Sequence, residues 1–171
     1  EQLLDRLTVA EMKDLVNNGA FQTVAIESID KNLTNDSDGP IGFVNFMPGK
    51  SESYKNNTTF ACEIVIGSTW NKDLAYEIGT SMGQEYQDAN NYGWYGPAMN
   101  THRSAFAGRN FEYYSEDGVL AGLIAAAELN GASTKGVYPY IKHFAMNDQE
   151  TNRCSFLLTY GPEQAFREIY L

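Results

Sequence analysis

The sequence predicts an α/β fold with a parallel sheet. Strand-like and helix-like segments alternate along its 171 residues, which is the pattern of sheets whose parallel strands are joined by helices. In addition, polar runs containing glycine follow the predicted strands, and in barrels of alternating strands and helices these positions form the rim of the active site. The length fits one ordinary domain.

The N-terminal region predicts a helix over residues 1–19. Thr8 and Glu11 form a Thr-x-x-Glu capping box, which satisfies two free amides at a helix start. Residues 21–29 fit either a strand or a second helical piece, and that choice stays open. Residues 35–40 read Asn-Asp-Ser-Asp-Gly-Pro, and this turn chemistry predicts a loop.

The middle of the chain predicts a strand, a helix and a second strand. Residues 62–68 form a short apolar run typical of a buried strand. A helix is expected to start at Asn71 or Lys72, because apolar residues recur at helical spacing from residue 74 to residue 86. Residues 94–99 are the next strand candidate.

Two further helices and a strand are predicted in the last third. Ser115 is expected to cap a helix that starts beside an acidic pair and runs through Glu128. Residues 137–144 predict a strand. A last helix over residues 164–171 is expected, with Pro162 at its first position.

Composition excludes several classes of partner. The formal net charge of -10 disfavours nucleic acid and anionic membrane surfaces, whereas an uncharged sugar is compatible with it. No stretch approaches the ~20 apolar residues of a membrane span. Cys62 and Cys154 are expected to be free, mostly buried thiols, and the two histidines lack metal-ligand spacing. We therefore expect no metal and no cofactor. The compartment stays open, with cytoplasm favoured over secretion.

Three polar runs concentrate chemically useful groups after predicted strands. They are Asp38-Gly39-Pro40, Gly108-Arg109-Asn110-Phe111-Glu112, and Lys142-His143-Phe144-Ala145 with Arg153 downstream. Taken singly, these residues fit a capped turn, solvated basic residues and a core histidine. Together, cationic donors, an imidazole and a carboxylate suit a hydroxyl-rich ligand held by many directed hydrogen bonds.

Lys142 and His143 are adjacent, and adjacent strand residues point to opposite faces. If both side chains face one site, the alternation must break there. A β-bulge would break it, and so would a non-proline cis peptide bond.

The second and third runs closely resemble signatures of glycoside hydrolase family 3, which includes many β-glucosidases and β-xylosidases. The resemblance covers nearly the whole chain and is strongest over residues 62–171. It implies that residues 1–171 are the N-terminal portion of a catalytic domain. The fold would be a partial (β/α)8 TIM-like barrel, truncated after roughly its first half, since a complete barrel takes ~250 residues. Ala145-Met146-Asn147 replaces the Pro-Gly-His run of the N-acetylglucosaminidase branch, which favours the β-glucosidase-like branch.

The resemblance also implies roles for the polar residues. Asp38, Arg109, Lys142 and His143 would contact the terminal sugar of a β-glucoside or related oligosaccharide, and Arg153 would lie near the same pocket. His143 would be a hydrogen-bonding residue and not the general acid. His102, Arg103 and Glu112 are expected to support the loop that carries Arg109.

The resemblance places the catalytic carboxylates elsewhere. A retaining glycosidase needs a nucleophile and an acid/base roughly 5 Å apart. In the family the nucleophile is an Asp, commonly in a Ser-Asp-Trp context, and this tripeptide is absent from the sequence. We therefore expect both carboxylates outside this chain and expect the isolated chain to be inactive.

Two alternatives to an enzyme fragment stay open. The chain could be a non-catalytic sugar-binding or regulatory module. It could also be a structural subunit that associates with the rest of the barrel or with another chain, because an open sheet edge favours association.

Overall fold

Four short strands form one sheet in the computed structural model, which describes residues 2–44 and 57–171. The strands are β1 (Gln22–Thr23), β2 (Thr34–Asp38), β3 (Gly93–Tyr95) and β4 (Tyr138–Pro139). The α-helices are α1 (Val9–Asn17), α2 (Glu63–Ser68), α3 (Lys72–Asp88), α4 (Gly118–Ser133) and α5 (Glu163–Tyr170). Short 3-10 helices lie at Leu4–Arg6, Glu27–Ile29 and Asn110–Glu112.

The strands lie in sequence order, and three of them are parallel. β1 pairs with β2 antiparallel, whereas β2, β3 and β4 pair in parallel. Asp38 is opposite Tyr95, and an isolated parallel bridge joins Ala98 to Lys142 beyond the ends of β3 and β4. Because parallel strands end at the same edge, this register brings the residues after β2, β3 and β4 to one side of the sheet.

Helices α3 and α4 pack with their backbones nearly in contact. A Cβ atom added at Gly79 would lie 1.9 Å from the backbone oxygen of Glu128, and one at Gly131 would lie 2.1 Å from that of Tyr76. Two clusters of buried apolar side chains fill the interior. One contains Phe43, Met82, Tyr86, Ala89, Trp94, Ala132 and Val137, and the other Ile66, Ala75, Tyr114, Ala121, Ile124 and Ala125.

Several elements match the sequence predictions. Thr8 and Glu11 form the predicted capping box at the start of α1. Asn71 caps α3, with its Oδ1 accepting from the backbone N–H groups of Asp73 and Leu74. Both options for residues 21–29 occur, since this stretch holds the two residues of β1 and the 3-10 helix Glu27–Ile29.

The loop predicted over residues 35–40 is wrong in its first part, which belongs to strand β2. The polar side chains there are buried and bonded. Ser37 Oγ donates to Asn91 Oδ1 at 2.7 Å, and the hydroxyl groups of Tyr138 and Tyr140 donate to the Asp36 carboxylate at 2.9 and 3.2 Å. Side-chain partners from distant residues therefore override the local turn propensity.

The strand predicted over residues 62–68 is also wrong, because these residues form helix α2. Glu63, Ile66 and Gly67 are its buried residues, at helical spacing. A short apolar run is compatible with either a buried strand or a buried helical turn, and packing on the segment around Tyr114 decides for the helix.

The remaining corrections concern element ends and one cysteine. Asp117, and not Ser115, caps α4, with its Oδ1 accepting from Val119 and Leu120 N–H at 2.7 and 3.0 Å. Pro162 is the N-cap of α5 and not its first residue. β3 and β4 are shorter than predicted. Both cysteines are free, but Cys154 is exposed.

Within residues 2–44 and 57–171, no helix is both long and apolar enough to cross a bilayer. The same residues contain no group of three or more His, Cys, Asp or Glu side chains arranged to hold a metal ion.

A carboxyl group is buried between the helices. Glu63 is fully buried, and neither of its oxygens has a hydrogen-bond partner among the described residues. Burial, with smaller contributions from Glu128 and Glu112, raises the pKa of Glu63 to about 9. The side chain is therefore neutral in the folded protein near pH 7.

We expect Gly79→Ala to destabilise the protein by about 1–3 kcal/mol, because the added methyl group must push α3 and α4 apart. Gly122→Ala in α4 is the matched control, since a Cβ there has nothing within 4 Å. The free energy of unfolding of the control variant should rise by about 0.5–1 kcal/mol, because alanine has a higher helix propensity than glycine. Denaturant unfolding of both variants measures the difference, and equal effects would contradict the close helix contact.

We expect Glu63→Gln to become increasingly stabilising, relative to wild type, as the pH rises. The folded pKa of Glu63 lies above the unfolded value of about 4.5. Its contribution to stability is complete below pH 4.5 and is lost as the pH rises through about 9, whereas glutamine does not titrate. The free energy of unfolding of variant and wild type is measured at pH 5 and pH 8. The difference in favour of the variant should be greater at pH 8 by about 1 kcal/mol or more. An advantage independent of pH would contradict the raised pKa.

Candidate functional site

The loop after β2 is held so that the Asp38 side chain lies at the carboxyl edge of the sheet. Tyr86 OH donates to the Asp38 carbonyl oxygen at 2.8 Å, and Trp94 Nε1 donates to the Gly39 carbonyl oxygen at 3.0 Å. Gly39 has a φ of 129°, and a Cβ there would lie 1.7 Å from the Gly42 carbonyl oxygen. The Asp-Gly-Pro turn therefore requires its glycine.

Lys142 reaches Asp38 across β3. Its Nζ lies 2.5 Å from Asp38 Oδ1. The Lys142 backbone is fixed by two bonds to the segment after β3, since its N–H donates to the Pro97 carbonyl at 3.1 Å and its carbonyl accepts from Met99 N–H at 2.8 Å. The ion pair is a consequence of the parallel register.

His143 lies beside this pair. Its backbone N–H donates to Asn100 Oδ1 at 2.7 Å. The peptide bond between Lys142 and His143 is cis, which is one of the two interruptions that the sequence analysis allows. Both side chains reach one cluster, although they are adjacent in sequence.

Arg109 joins the cluster from the loop between β3 and α4. It forms a hydrogen-bonded ion pair with Glu112, and its Nη2 lies 3.3 Å from His143 Nε2. Its Nη1 lies 3.8 Å from Glu150 Oε1. The guanidinium is mostly buried, at 17% side-chain exposure, so its orientation is fixed by these neighbours.

Among the residues that the structure describes, Arg153 contacts the cluster through Glu150. Its Nε lies 3.4 Å from Glu150 Oε2, and its side chain is 52% exposed. Arg153 thus lies at the margin of the cluster.

His143 is neutral in this environment. Burial is the largest cause that lowers its pKa to about 4, and the positive charges of Arg109 and Lys142 lower it further. On its other side, Nδ1 lies 2.9 Å from Tyr113 OH and 3.2 Å from Asn147 Nδ2. A neutral imidazole between two cations can form hydrogen bonds but cannot serve as a strong acid at pH 7.

The five sequence-predicted site residues therefore lie in two side-chain groups at the edge of the sheet, Asp38 with Lys142, and Arg109 with His143 and, through Glu150, Arg153. The adjacent positions of Lys142 and His143 place the two groups side by side. Glu112 supports Arg109 as expected, and His102 Nε2 lies 2.8 Å from the Tyr113 carbonyl oxygen. Arg103 instead contacts Tyr170 of α5, with its Nη1 3.3 Å from the hydroxyl oxygen.

Sequence reasoning missed four members of the cluster, namely Asn100, Tyr113, Asn147 and Glu150. Asn147 and Glu150 lie between Ala145 and Arg153 of the third polar run, so their position was a signal for them. Tyr113 follows a run read as loop and cap, and nothing in the sequence indicates that its hydroxyl group points to a histidine 30 residues away.

A groove of about 890 Å³ lies beside the cluster, between the start of α4 and the end of α5. Of the cluster, only Asn100 and His143 line it. The groove is therefore adjacent to the polar site and not identical with it.

The comparisons with known proteins point to one family. The family described as "Glycosyl hydrolase family 3 N terminal domain" matches residues 14–171. Beta-glucosidase A of Butyrivibrio fibrisolvens is 44% identical over 134 residues, covering 78% of this chain and 16% of that protein. The probable beta-glucosidase I of Aspergillus clavatus is 36% identical over 175 residues, covering 100% of this chain and 20% of that protein. The chain thus spans at most a fifth of the length of these relatives.

A solved structure has the same fold. Beta-glucosidase 3B from Thermotoga neapolitana, in complex with α-D-glucose, superimposes with a TM-score of 0.76 at 36% identity, covering 89% of this chain and 24% of that one. The prediction of an α/β fold that forms part of a (β/α)8 barrel is confirmed.

We expect His143 to titrate with a midpoint near pH 4, and Arg109→Gln to raise that midpoint, because the substitution removes a nearby positive charge. Proton NMR of the imidazole ring across pH 3–8 measures both values, with the resonance identified by its loss in His143→Gln. A wild-type midpoint near 6.5 would contradict the buried, positively charged surroundings.

Proposed function

The chain belongs to glycoside hydrolase family 3, and on that basis we propose that the full-length protein hydrolyses O-glycosidic bonds and releases non-reducing terminal β-D-glucose-like units with retention of configuration. The observation that carries the proposal is the convergence of Asp38, Lys142, His143 and Arg109 at the carboxyl edge of three parallel strands. In barrels, catalytic and binding residues occupy this edge. The similarity to proteins named beta-glucosidases supports the substrate class.

The five predicted residues are proposed to bind the terminal sugar. Asp38 would accept hydrogen bonds from sugar hydroxyl groups, and Lys142, Arg109 and His143 would donate them. Asp38 and Lys142 are already joined at 2.5 Å, so each orients the other before a sugar arrives. Arg153, which is more exposed, would act at the margin of the site.

The catalytic carboxylates are proposed to come from other parts of the full-length protein. Each carboxylate in the cluster already faces a cation: Asp38 faces Lys142, Glu112 faces Arg109, and Glu150 lies between Arg109 and Arg153. A catalytic carboxylate has to reach the scissile bond, and each of these three is already held by a basic side chain of the cluster. None of the three suits the role of acid/base.

The proposal is tested with the full-length protein and 4-nitrophenyl β-D-glucopyranoside, with the matching α-glucoside as control. We expect turnover of the β-anomer only, with the β-configuration in the first product detected by NMR. Glucose binding without turnover would instead favour a non-catalytic sugar-binding module. If the protein neither binds glucose nor turns over the β-glucoside, the proposed substrate class is contradicted.

We expect Arg109→Ala and Lys142→Ala in the full-length protein each to lower kcat/KM, because each removes a charged donor directed at the substrate. The fall should correspond to a loss of about 2–4 kcal/mol of transition-state stabilisation. Lys142→Ala should lower the free energy of unfolding by about 1 kcal/mol or less, because its partner Asp38 is partly exposed. Arg109→Ala should lower it by about 3–5 kcal/mol, because it leaves the buried Glu112 carboxylate without its cation. Steady-state kinetics and thermal unfolding are measured for each variant. If unfolding shifts strongly while the folded fraction keeps normal kcat/KM, these residues are structural.

A further inference from the structure

Tyr113 and Asn147 form a small hydrogen-bonded group on the far side of the His143 ring from Arg109. Asn147 Nδ2 lies 2.6 Å from Tyr113 OH, and Tyr113 OH lies 2.9 Å from His143 Nδ1. The Tyr113 side chain comes from the loop before α4 and is 2% exposed. Neither residue contacts Asp38 or Lys142 in the hydrogen bonds of the described residues.

The donors and acceptors in this group fix a direction. An amide nitrogen only donates, so the Tyr113 oxygen accepts from Asn147. The phenolic proton then has His143 Nδ1 as its acceptor, and no other acceptor for it is found among the described residues. Burial raises the pKa of Tyr113 to about 12, so that proton is present at neutral pH. A neutral imidazole whose Nδ1 accepts carries its own proton on Nε2.

The opposite edge of the ring then presents donors only. His143 Nε2 and Arg109 Nη2 lie 3.3 Å apart. With a proton on Nε2, both atoms are donors, and two donors cannot satisfy each other. An oxygen placed between them would accept from both.

We propose that Tyr113 and Asn147 are positioning residues that set the tautomer of His143, so that Nε2–H and Arg109 donate together to one hydroxyl oxygen of the bound sugar. This inference rests on the proposed function for the identity of the ligand. The direction of the hydrogen bonds in the unliganded protein does not depend on it. Neither residue touches the reacting bond, and both act through His143.

The tautomer is tested first, without a ligand. Long-range ¹H–¹⁵N correlation spectra are recorded at pH 7 on full-length protein labelled with [¹⁵N]histidine, and His143 is identified by the loss of its signals in His143→Gln. We expect the Nε2–H tautomer in wild type. A Nδ1–H tautomer overturns the proposal, because it would mean that the Asn147 amide is reversed and that Arg109 donates to Nε2.

Tyr113→Phe tests the phenolic proton, and Tyr114→Phe is its matched control. The two tyrosines are adjacent and equally buried, but Tyr114 OH donates to Glu128 Oε2 at 2.5 Å, away from His143. We expect Tyr113→Phe to reduce kcat/KM about tenfold, the effect of one hydrogen bond of about 1.4 kcal/mol, with the larger part in kcat. Its His143 spectrum should show an added population of the Nδ1–H tautomer, with Nε2–H still the major form because Asn147 Nδ2 lies 3.2 Å from Nδ1. Tyr114→Phe should leave the spectrum unchanged and kcat/KM within about twofold.

Asn147→Asp tests the direction of the relay. A carboxylate only accepts, so at position 147 it would accept the hydrogen bond from Tyr113 OH. His143 Nδ1 could then carry the imidazole proton, and Nε2 would become an acceptor facing Arg109. The added charge also raises the pKa of His143. We expect a loss in kcat/KM of about tenfold or more and an upward shift of the acid limb of the pH–rate profile. Asn152→Asp, on an exposed position of the same loop, adds the same charge and should change neither.

The outcomes separate this inference from the proposed function. If Asn147→Asp keeps wild-type kcat/KM, or if Tyr113→Phe and Tyr114→Phe behave alike, the positioning role is wrong while β-glucoside hydrolysis stands. If wild-type protein neither binds glucose nor hydrolyses β-glucosides, the proposed function fails. The tautomer spectra then still decide the direction of the hydrogen bonds.

Discussion

The parallel register of β2, β3 and β4 is the constraint on which the site depends. Asp38 is opposite Tyr95, and Ala98 is bridged to Lys142, so a carboxylate and an ammonium group 104 residues apart meet at 2.5 Å. A shift of one residue in either pairing would turn these side chains to the other face of the sheet. Backbone hydrogen bonds, and not the ion pair, therefore determine where the charges lie. The ion pair then orients two side chains whose backbones are already placed.

Beneath this pair the sheet contains buried polar side chains. Asp36 precedes Asp38 by two residues on the same face of β2, and it accepts hydrogen bonds from the hydroxyl groups of Tyr138 and Tyr140. Gly93 on β3 leaves room for it, since a Cβ there would lie 2.1 Å from Asp36 Oδ1. The Tyr140 ring packs edge-on against Tyr95 at 5.2 Å. These rings and their hydrogen bonds join β2, β3 and β4 two residues before Asp38 and Lys142.

The electrostatics of the cluster suit an uncharged ligand. Lys142 is paired with Asp38, Arg109 with Glu112, and Arg153 with Glu150, while His143 is neutral because burial and its cationic neighbours keep its pKa low. Charges therefore balance locally although the whole chain carries -10. A sugar has no net charge to neutralise, but its hydroxyl groups need donors and acceptors at fixed positions. Paired charges supply these without a strong field that would attract ions.

The sequence by itself determined the family, the helices with clear caps and the five candidate site residues. These rest on local chemistry. Thr8 and Glu11 cap α1 whatever they pack against. A motif such as Lys142-His143 is recognised from consecutive residues alone. Tertiary structure decided the rest. Residues 35–38 became a strand because distant hydroxyl and amide groups satisfy their buried side chains, and residues 62–68 became a helix because they pack on Tyr114. The hydrogen bond from Tyr113 to His143 likewise joins residues 30 positions apart. No local pattern encodes such a contact, because its energy exists only once the chain has brought the two groups together.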